Sequence, residues 1–251
     1  MTRADGPSAR HIARHVAPTH VAHQHVERKH TARRTSHVRL AVFDLDGTLV
    51  DSQRDLANAA NALVVELGGT ALPDEDISAM IGEGAAVLVR RVLAAAGLAP
   101  DTPGALARFL ELYDERLTDN TVAYEGIPEA LQHLRGRVPL AILTNKPQRA
   151  TDRLMAALGL STHFAHVVGG DTPLGRKPDP SGMLRLCAAA DCAANDAVLI
   201  GDSPIDLETA RNAGTGILLV SYGFGFRFDG ADLTGVPIAH HPSEIPSFLR
   251  T

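Results

Sequence analysis

Acidic residues recur in short polar segments that each follow an apolar stretch. Asp44 and Asp46 come after residues 40–43, and Asp202 comes after residues 197–201. Carboxylates that converge on one point repel one another, so this geometry calls for a hard divalent cation. Mg²⁺ suits a site of carboxylates and phosphate. The three residues therefore predict a magnesium site that handles a phosphate group.

Two further polar segments complement these acids. Thr144-Asn145-Lys146 follows the apolar residues 139–143, and Lys177 lies in Gly-Arg-Lys-Pro-Asp-Pro. We expect Lys177 to place a compact positive charge on a phosphoryl oxygen, while Thr144 and backbone amides donate hydrogen bonds. Taken singly, each polar segment is also typical of a turn, a helix N-terminus or a solvated loop. Their order at successive strand ends favours the chemical interpretation.

Alternating strands and helices are the elements that would position these residues. The first strand is predicted at residues 40–43. After Gly126, strands are predicted at 139–144, 166–169, 197–201 and 216–221, and helices at 148–158, 180–190 and 204–213. This alternation predicts a parallel sheet with helices on both faces. The carboxyl ends of its strands line one crevice, where ligands bind.

A helical segment interrupts this alternation. Between Gln53 and Asn120 the pattern predicts only helices, at 54–67, 75–81, 84–96 and 103–119. We therefore predict an α/β fold, with a Rossmann-like three-layer core around a parallel sheet and an inserted all-helical unit. The predicted boundaries are 38–53 and 124–251 for the core and 54–123 for the insertion.

Composition excludes several classes of protein. The chain has 251 residues, 45% of them apolar and 21% charged, which excludes disorder throughout. No stretch reaches the ~18 apolar residues of a membrane helix. Two cysteines are too few for a disulfide scaffold. We therefore expect a cytoplasmic protein with no membrane partner, and the sequence leaves open whether it is a monomer or a homo-oligomer.

The first forty residues differ from the rest in charge. They carry a net charge of +6, which leaves −11 on the remainder of a chain whose total is −5. An acidic body opposes nucleic-acid binding, so no such partner is expected. Residues 1–37 also hold seven of the twelve histidines and no apolar run, which predicts a disordered basic leader. An organellar transit peptide is the alternative for this leader.

Four segments resemble the ordered motifs of the haloacid dehalogenase superfamily: FDLDGTLVDS, LTNKP, GRKPDP and GDSPIDLETARNAG. Within that superfamily, the chain is similar to bacterial phosphoglycolate phosphatases in its opening motif, in IGEGAAVLVRRVL, in VVGGD and in the late SYGFG. The resemblance covers about residues 38–250. It implies a Mg²⁺-dependent phosphatase that converts 2-phosphoglycolate to glycolate and phosphate through an aspartyl-phosphate.

The resemblance also implies a role for each matching residue. Asp44 would be the nucleophile, and Asp46 the general acid and base. The expected metal ligands are Asp44, Asp202 and the backbone carbonyl of Asp46. The expected phosphate-binding residues are Thr144, Asn145 and Lys177. Asp206 would orient water at the metal or Lys177 rather than ligate directly.

The helical insertion resembles the small cap of this superfamily, which closes over the crevice and selects the leaving group. In it, the amides of Gly82-Glu83-Gly84 would face an anion, or the segment is an ordinary interhelical turn. Arg90 and Arg91 would contact a substrate carboxylate, or they belong to a solvated helix face.

Other functions stay open at this point. The substrate of a related phosphatase would be a sugar phosphate, N-acetylmuramate 6-phosphate, a nucleotide or pyrophosphate. A β-phosphoglucomutase-like mutase would use the same acidic and basic residues. A dehalogenase needs neither Asp46 nor Asp202, so their presence argues against it. A non-catalytic binding module would be expected to lack at least one of these residues.

Overall fold

The computed structural model describes Thr2 and residues 38–249, so the leader predicted at 1–37 lies outside the described residues. The predicted parallel sheet is confirmed. Within the described part the strands are β1 (Leu40–Phe43), β2 (Val50–Asp51), β3 (Val122–Ala123), β4 (Leu140–Leu143), β5 (His166–Val168), β6 (Ala197–Gly201), β7 (Gly216–Val220) and β8 (Ile238–Ala239). Six of them form one sheet in the order β5-β4-β1-β6-β7-β8, with parallel pairing throughout.

The central strands are apolar along their whole length. Strands β1, β4 and β6 are buried at every position, which is typical of a parallel sheet that is covered on both faces. β1 lies in the middle and pairs with β4 on one side and β6 on the other. Their carboxyl ends are therefore neighbours at one edge of the sheet.

Helices cover both faces of this sheet. The described helices are α1 (Gln53–Glu66), α2 (Asp74–Ser78), α3 (Ala85–Ala95), α4 (Ala105–Arg116), α5 (Ile127–Leu134), α6 (Gln148–Ala157), α7 (Ser181–Ala189), α8 (Pro204–Ala213) and α9 (Ile245–Phe248). Alternate β1 residues point to opposite faces, so Phe43 packs in one apolar cluster with α5 and α6, and Val42 in another with α7 and α8. These three layers confirm the predicted α/β fold.

Helices α1 to α4 form the helical insertion, which follows β1 in the chain. A two-residue antiparallel ribbon, β2 with β3, joins it to the core. Buried Asp55 at the start of α1 holds the segment that leads from the insertion back to the core. Its carboxylate accepts hydrogen bonds from the backbone and side chains of Asn120 and Thr121 at 2.7–2.9 Å. The predicted domain boundaries at 53/54 and 123/124 stay a prediction.

Several short elements carry no sequence signal. The strands of the ribbon and β8 have two residues each, which is too short to show a periodic pattern. Helix α5 was not predicted, although it has a signal: its buried residues Ile127, Leu131 and Leu134 recur at helical spacing, and Pro128 lies in its first turn. None of the described helices is long and apolar enough to cross a membrane.

Candidate active site

Polar side chains from three neighbouring strand ends meet at one edge of the sheet. Asp44 directly follows β1, Thr144 follows β4 and Asp202 follows β6. Lys177 reaches the same place from the loop between β5 and α7. All four residues are buried. The sheet order thus assembles the crevice that the strand-end pattern predicts.

Lys177 lies between two carboxylates. Its Nζ is 2.8 Å from Asp44 Oδ1 and 2.6 Å from Asp206 Oδ1. The other oxygen of Asp206 accepts hydrogen bonds from the backbone and hydroxyl of Ser203, at 3.1 and 2.6 Å, as the capping box of α8. Burial disfavours the ammonium group, but the carboxylates of Asp206 and Asp44 outweigh burial and raise the pKa of Lys177. Asp206 therefore fixes both α8 and Lys177.

A glycine-rich cradle, formed by Gly47, Gly223 and Gly225, surrounds the carboxylate of Asp202. Asp202 Oδ1 accepts from Thr48 Oγ1 at 3.2 Å, and Oδ2 accepts from the backbone N–H of Gly225 at 2.7 Å. A Cβ on Gly223 would lie 2.1 Å from the carbonyl oxygen of Gly47 and 2.4 Å from Asp202 Oδ2. Only glycine fits there, so the SYGFG segment packs directly against this acid.

Buried negative charge exceeds positive charge at this place. Carboxylate oxygens of Asp44, Asp202 and Asp206 all lie within 4.8 Å of one another. Burial raises the pKa of Asp44 to about 7 even though Lys177 opposes the shift. Burial, with repulsion from Asp206 and Asp44, raises the pKa of Asp202 well above its usual range. A group of oxygen donors with surplus negative charge fits a hard divalent cation.

The second aspartate of the opening motif has its own partners. Asp46 accepts a hydrogen bond from Ser52 Oγ at 2.6 Å, and Lys146 Nζ lies 2.9 and 3.1 Å from its two oxygens. The same Nζ lies 2.5 Å from the hydroxyl of Tyr113 on α4. Sequence reasoning assigned no role to Lys146, Tyr113 or Ser52. The available signal was the position of Lys146 inside the Thr-Asn-Lys-Pro segment.

Asn145 links three segments of the site. Its Nδ2 donates to the carbonyl oxygens of Gly82 and Lys177, each at 3.1 Å. Its Oδ1 is buried and has no hydrogen-bond partner within residues 38–249. Asn145 therefore ties the Lys177 loop to the turn before α3, with one buried acceptor left for a donor from a ligand.

Two clefts meet at Asp44 and Asp46. The first is open to solvent. It has an apolar wall from the helical insertion and a polar wall from the core: Leu56, Ile81, Leu88, Phe109, Leu110, Tyr113, Thr144, Asn145 and Lys146. The second cleft is lined in part by Arg91 and Arg227. Arg91 pairs with Glu83, whereas Arg90 pairs with Asp101 on the exposed side of α3.

A sequence profile of the haloacid dehalogenase-like hydrolases matches residues 41–220. The chain belongs to this family. The match runs from β1 to β7, so it contains every residue that the sequence assigned to the site. The SYGFG segment follows directly after it.

Relatives of this haloacid dehalogenase-like hydrolase carry a consistent name. The phosphoglycolate phosphatase of Chromobacterium violaceum is 39% identical over 209 residues, which are 81% of this chain and 94% of that protein. The plasmid-borne phosphoglycolate phosphatase of Cupriavidus necator is 40% identical over 73% of this chain and 80% of its own length. A solved structure of a predicted phosphoglycolate phosphatase from Haemophilus somnus superposes with a TM-score of 0.75 at 26% identity, covering 84% of this chain and 97% of that one.

Proposed function

We propose that this hydrolase is a Mg²⁺-dependent phosphatase that converts 2-phosphoglycolate to glycolate and phosphate. The observation that carries the proposal is the buried group at the sheet edge, in which Lys177 bridges Asp44 and Asp206 beside Asp202. Relatives that are named phosphoglycolate phosphatases and are 39–40% identical support the choice of substrate. The substrate would be a small phosphate ester, acted on in the cytoplasm, with neither nucleic acid nor membrane as a partner.

Asp44 is the nucleophile in this proposal. Its carboxylate oxygen forms a bond to phosphorus while the bond between phosphorus and the glycolate oxygen breaks. Asp46 donates its proton to that oxygen, so glycolate leaves with a neutral hydroxyl group. The phosphoryl group stays on Asp44 as an aspartyl-phosphate. Lys177 offsets the charge of both the nucleophile and the phosphoryl oxygens.

The second half of the reaction uses Asp46 as a base. Its carboxylate removes a proton from a water molecule, whose oxygen forms a bond to phosphorus. The bond between phosphorus and Asp44 then breaks, and inorganic phosphate leaves. This step restores Asp44 as a carboxylate and Asp46 as an acid, so the pair is ready for the next substrate.

The acidic group would hold Mg²⁺ through Asp44, Asp202 and the backbone carbonyl of Asp46. Bound there, the cation supplies positive charge to the phosphoryl oxygens. Both oxygens of Asp206 are engaged by Lys177 and Ser203, which suits an orienting role for Asp206 rather than direct ligation. Thr144 would contact the phosphate from the neighbouring strand end. Asn145 would do so through its backbone N–H, because its Nδ2 already donates to the carbonyl oxygens of Gly82 and Lys177.

The helical insertion would act as a cap. Its apolar side chains face the first cleft next to Asp46, where the leaving group would lie. An apolar wall excludes bulk water while the aspartyl-phosphate exists, which limits side reactions. In this proposal the insertion decides which leaving groups fit, and the core supplies the chemistry.

Phosphate release with Mg²⁺ and with EDTA tests the chemistry. We expect Mg²⁺-dependent release by the native enzyme, and a loss of at least ~10⁴-fold in kcat for Asp44→Asn, because an amide is not a nucleophile. Asp119→Asn is the matched control, since Asp119 is exposed. Transfer of phosphate between positions of a sugar, without release, would instead identify a mutase. Metal-independent release would contradict the proposal.

A further inference from the structure

One buried lysine has no part in the mechanism above. Lys146 has a side chain that is 2% exposed, and its Nζ contacts both oxygens of Asp46 at 2.9 and 3.1 Å. Its third contact is the hydroxyl of Tyr113 at 2.5 Å. These three contacts match the three N–H donors of an ammonium group. Lys146 therefore makes a complete set of bonds, and all of them serve the general acid and base or the helical insertion.

Burying the charge of this lysine costs desolvation free energy, so fold stability alone does not explain the buried ion pair with Asp46. An ion pair removed from water gains little net stability, and an apolar side chain of similar size often replaces it without loss. The partner here is Asp46, which lines both clefts and is 15% exposed. A bidentate contact restricts the rotation of a carboxylate, and proton transfer requires that the acid lie within hydrogen-bond reach of the leaving oxygen.

Tyr113 brings the helical insertion into this arrangement. The residue lies on α4, and its ring stacks on Phe109 with centroids 6.0 Å apart and planes 5° apart. The ammonium of Lys146 also lies over the Tyr113 ring, 4.5 Å from its centroid. Tyr113 is buried and is thereby fixed by packing within the insertion. The contact chain runs from the insertion through Lys146 to Asp46.

We propose that Lys146 is a positioning residue that orients the carboxylate of Asp46 toward the leaving oxygen, and that Tyr113 makes this orientation depend on contact between insertion and core. The inference rests on the proposed phosphatase function and adds to it. If α4 moves away from the core, Lys146 loses the hydroxyl that directs it, and Asp46 is held less firmly, with Ser52 as its remaining fixed partner. Proton delivery is then efficient only while the insertion covers the substrate.

The test compares two leaving groups in Lys146→Met and Tyr113→Phe. An alkyl phosphate such as 2-phosphoglycolate needs a proton on its leaving oxygen, whereas p-nitrophenyl phosphate leaves as a stable anion. We expect Lys146→Met to lower kcat/KM for 2-phosphoglycolate by ~10–100-fold and for p-nitrophenyl phosphate by less than ~3-fold. Tyr113→Phe keeps the ring and should give a smaller selective loss, about 3–10-fold. Arg185→Met is the control, because Arg185 is exposed on α7, a helix of the core.

Two further readouts separate positioning from a structural effect. The inhibition constant of inorganic phosphate should stay within ~3-fold in both variants, because Lys177 and Thr144 are untouched. In an Asp46→Asn background, Lys146→Met should cause no further loss, since residues that act as a unit are not additive. Circular dichroism and thermal melting of each variant check that it folds. If Lys146→Met does not fold, Tyr113→Phe alone supplies the test.

The outcomes are distinct. Equal losses with both leaving groups, or a full additional loss in the Asp46→Asn background, would overturn the positioning role of Lys146. A native enzyme that releases phosphate from neither substrate would overturn the proposed function, and this inference with it. An active enzyme in which Lys146→Met and Tyr113→Phe behave like Arg185→Met would overturn only the inference.

Discussion

The ammonium group of Lys177 lies 2.6 Å from the carboxylate of Asp206, a residue one turn inside α8 whose other oxygen caps the same helix. Asp206 thus fixes the position of a lysine that also contacts Asp44, the proposed nucleophile, at 2.8 Å. An acid that acts through a lysine should matter less than the nucleophile but more than an exposed acid.

Asp206→Asn should lower kcat by ~10–100-fold, because an amide keeps the shape of the contact but attracts Lys177 less strongly. The expected Mg²⁺ concentration at half-maximal activity changes less than for Asp202→Asn, whose carboxylate is a proposed ligand. Steady-state kinetics across a Mg²⁺ series measures both quantities. Glu208→Gln is the control, since Glu208 is exposed on the same helix. A larger shift in the Mg²⁺ requirement for Asp206→Asn than for Asp202→Asn would contradict this assignment and would indicate that Asp206 is the metal ligand.

Asp46→Asn should slow turnover by ~10²–10⁴-fold, because this change removes the proposed general acid and base while Asp44 is retained. With p-nitrophenyl phosphate, which needs no acid, phosphoryl transfer to Asp44 continues while its hydrolysis is slow. The covalent form should therefore accumulate. Intact-protein mass spectrometry after an acid quench would show one added phosphoryl group, and peptide mapping would place it on Asp44. Turnover at the native rate, or a phosphoryl group elsewhere, would refute the assignment.

Gly223→Ala should weaken the seat of Asp202. The new Cβ would lie 2.1 Å from the backbone oxygen of Gly47, so the SYGFG segment must move and the hydrogen bond from Gly225 to Asp202 is lost. We expect the Mg²⁺ concentration for half-maximal activity to rise by ~10-fold or more. Asp229→Ala, exposed in the following loop, is the control. An unchanged Mg²⁺ requirement would show that this segment does not support the metal site.

The hinge of the helical insertion supplies a prediction about pH. Burial alone would raise the pKa of Asp55, but hydrogen bonds from Asn120 and Thr121 outweigh it and lower the pKa below its usual value. A carboxyl group with a lowered pKa in the folded state stabilises the fold above its unfolded pKa of about 3.9. That contribution is lost as the pH falls through the folded pKa.

Asp55→Asn should therefore cost about 1–3 kcal/mol of unfolding free energy at pH 7, because the amide mismatches the donors that surround it. The difference between the native protein and this variant should shrink as the pH falls below about 4. Denaturant unfolding at several pH values measures it, with the exposed Asp119→Asn as control. A difference that stays constant with pH would exclude ionisation of Asp55 as its source.

The sequence predicts those parts of the structure that depend on long apolar runs or on polar segments in a fixed order. Strands β1, β4 and β6 are continuous apolar runs, and the polar residues that follow them must meet once the sheet is parallel. Asp44 and Asp202 could thus be placed together without coordinates. The predicted helices of the insertion differ from the observed ones mainly at their ends, where fraying and capping decide the boundary.

The contacts around Asp46 lay beyond the reach of the sequence. Lys146 and Tyr113 are 33 residues apart and belong to different elements. Their meeting depends on how α4 packs against the core, which no local pattern encodes. The cradle of Asp202 is similar, because Gly223 is required by the backbone of Gly47 and not by its neighbours in the chain. These contacts of Asp46 and Asp202 therefore depend on long-range packing, which composition and periodicity do not predict.

We propose above that this hydrolase acts on 2-phosphoglycolate at a metal-dependent site. The most direct measurement is kcat/KM for phosphate release, with Mg²⁺, across 2-phosphoglycolate, 3-phosphoglycerate, sugar phosphates, nucleotides and pyrophosphate. The account predicts a preference of at least ~100-fold for 2-phosphoglycolate, because a site shaped around one small acid rejects esters that leave its polar groups unpaired. A flat ranking, or one led by a sugar phosphate, would contradict it.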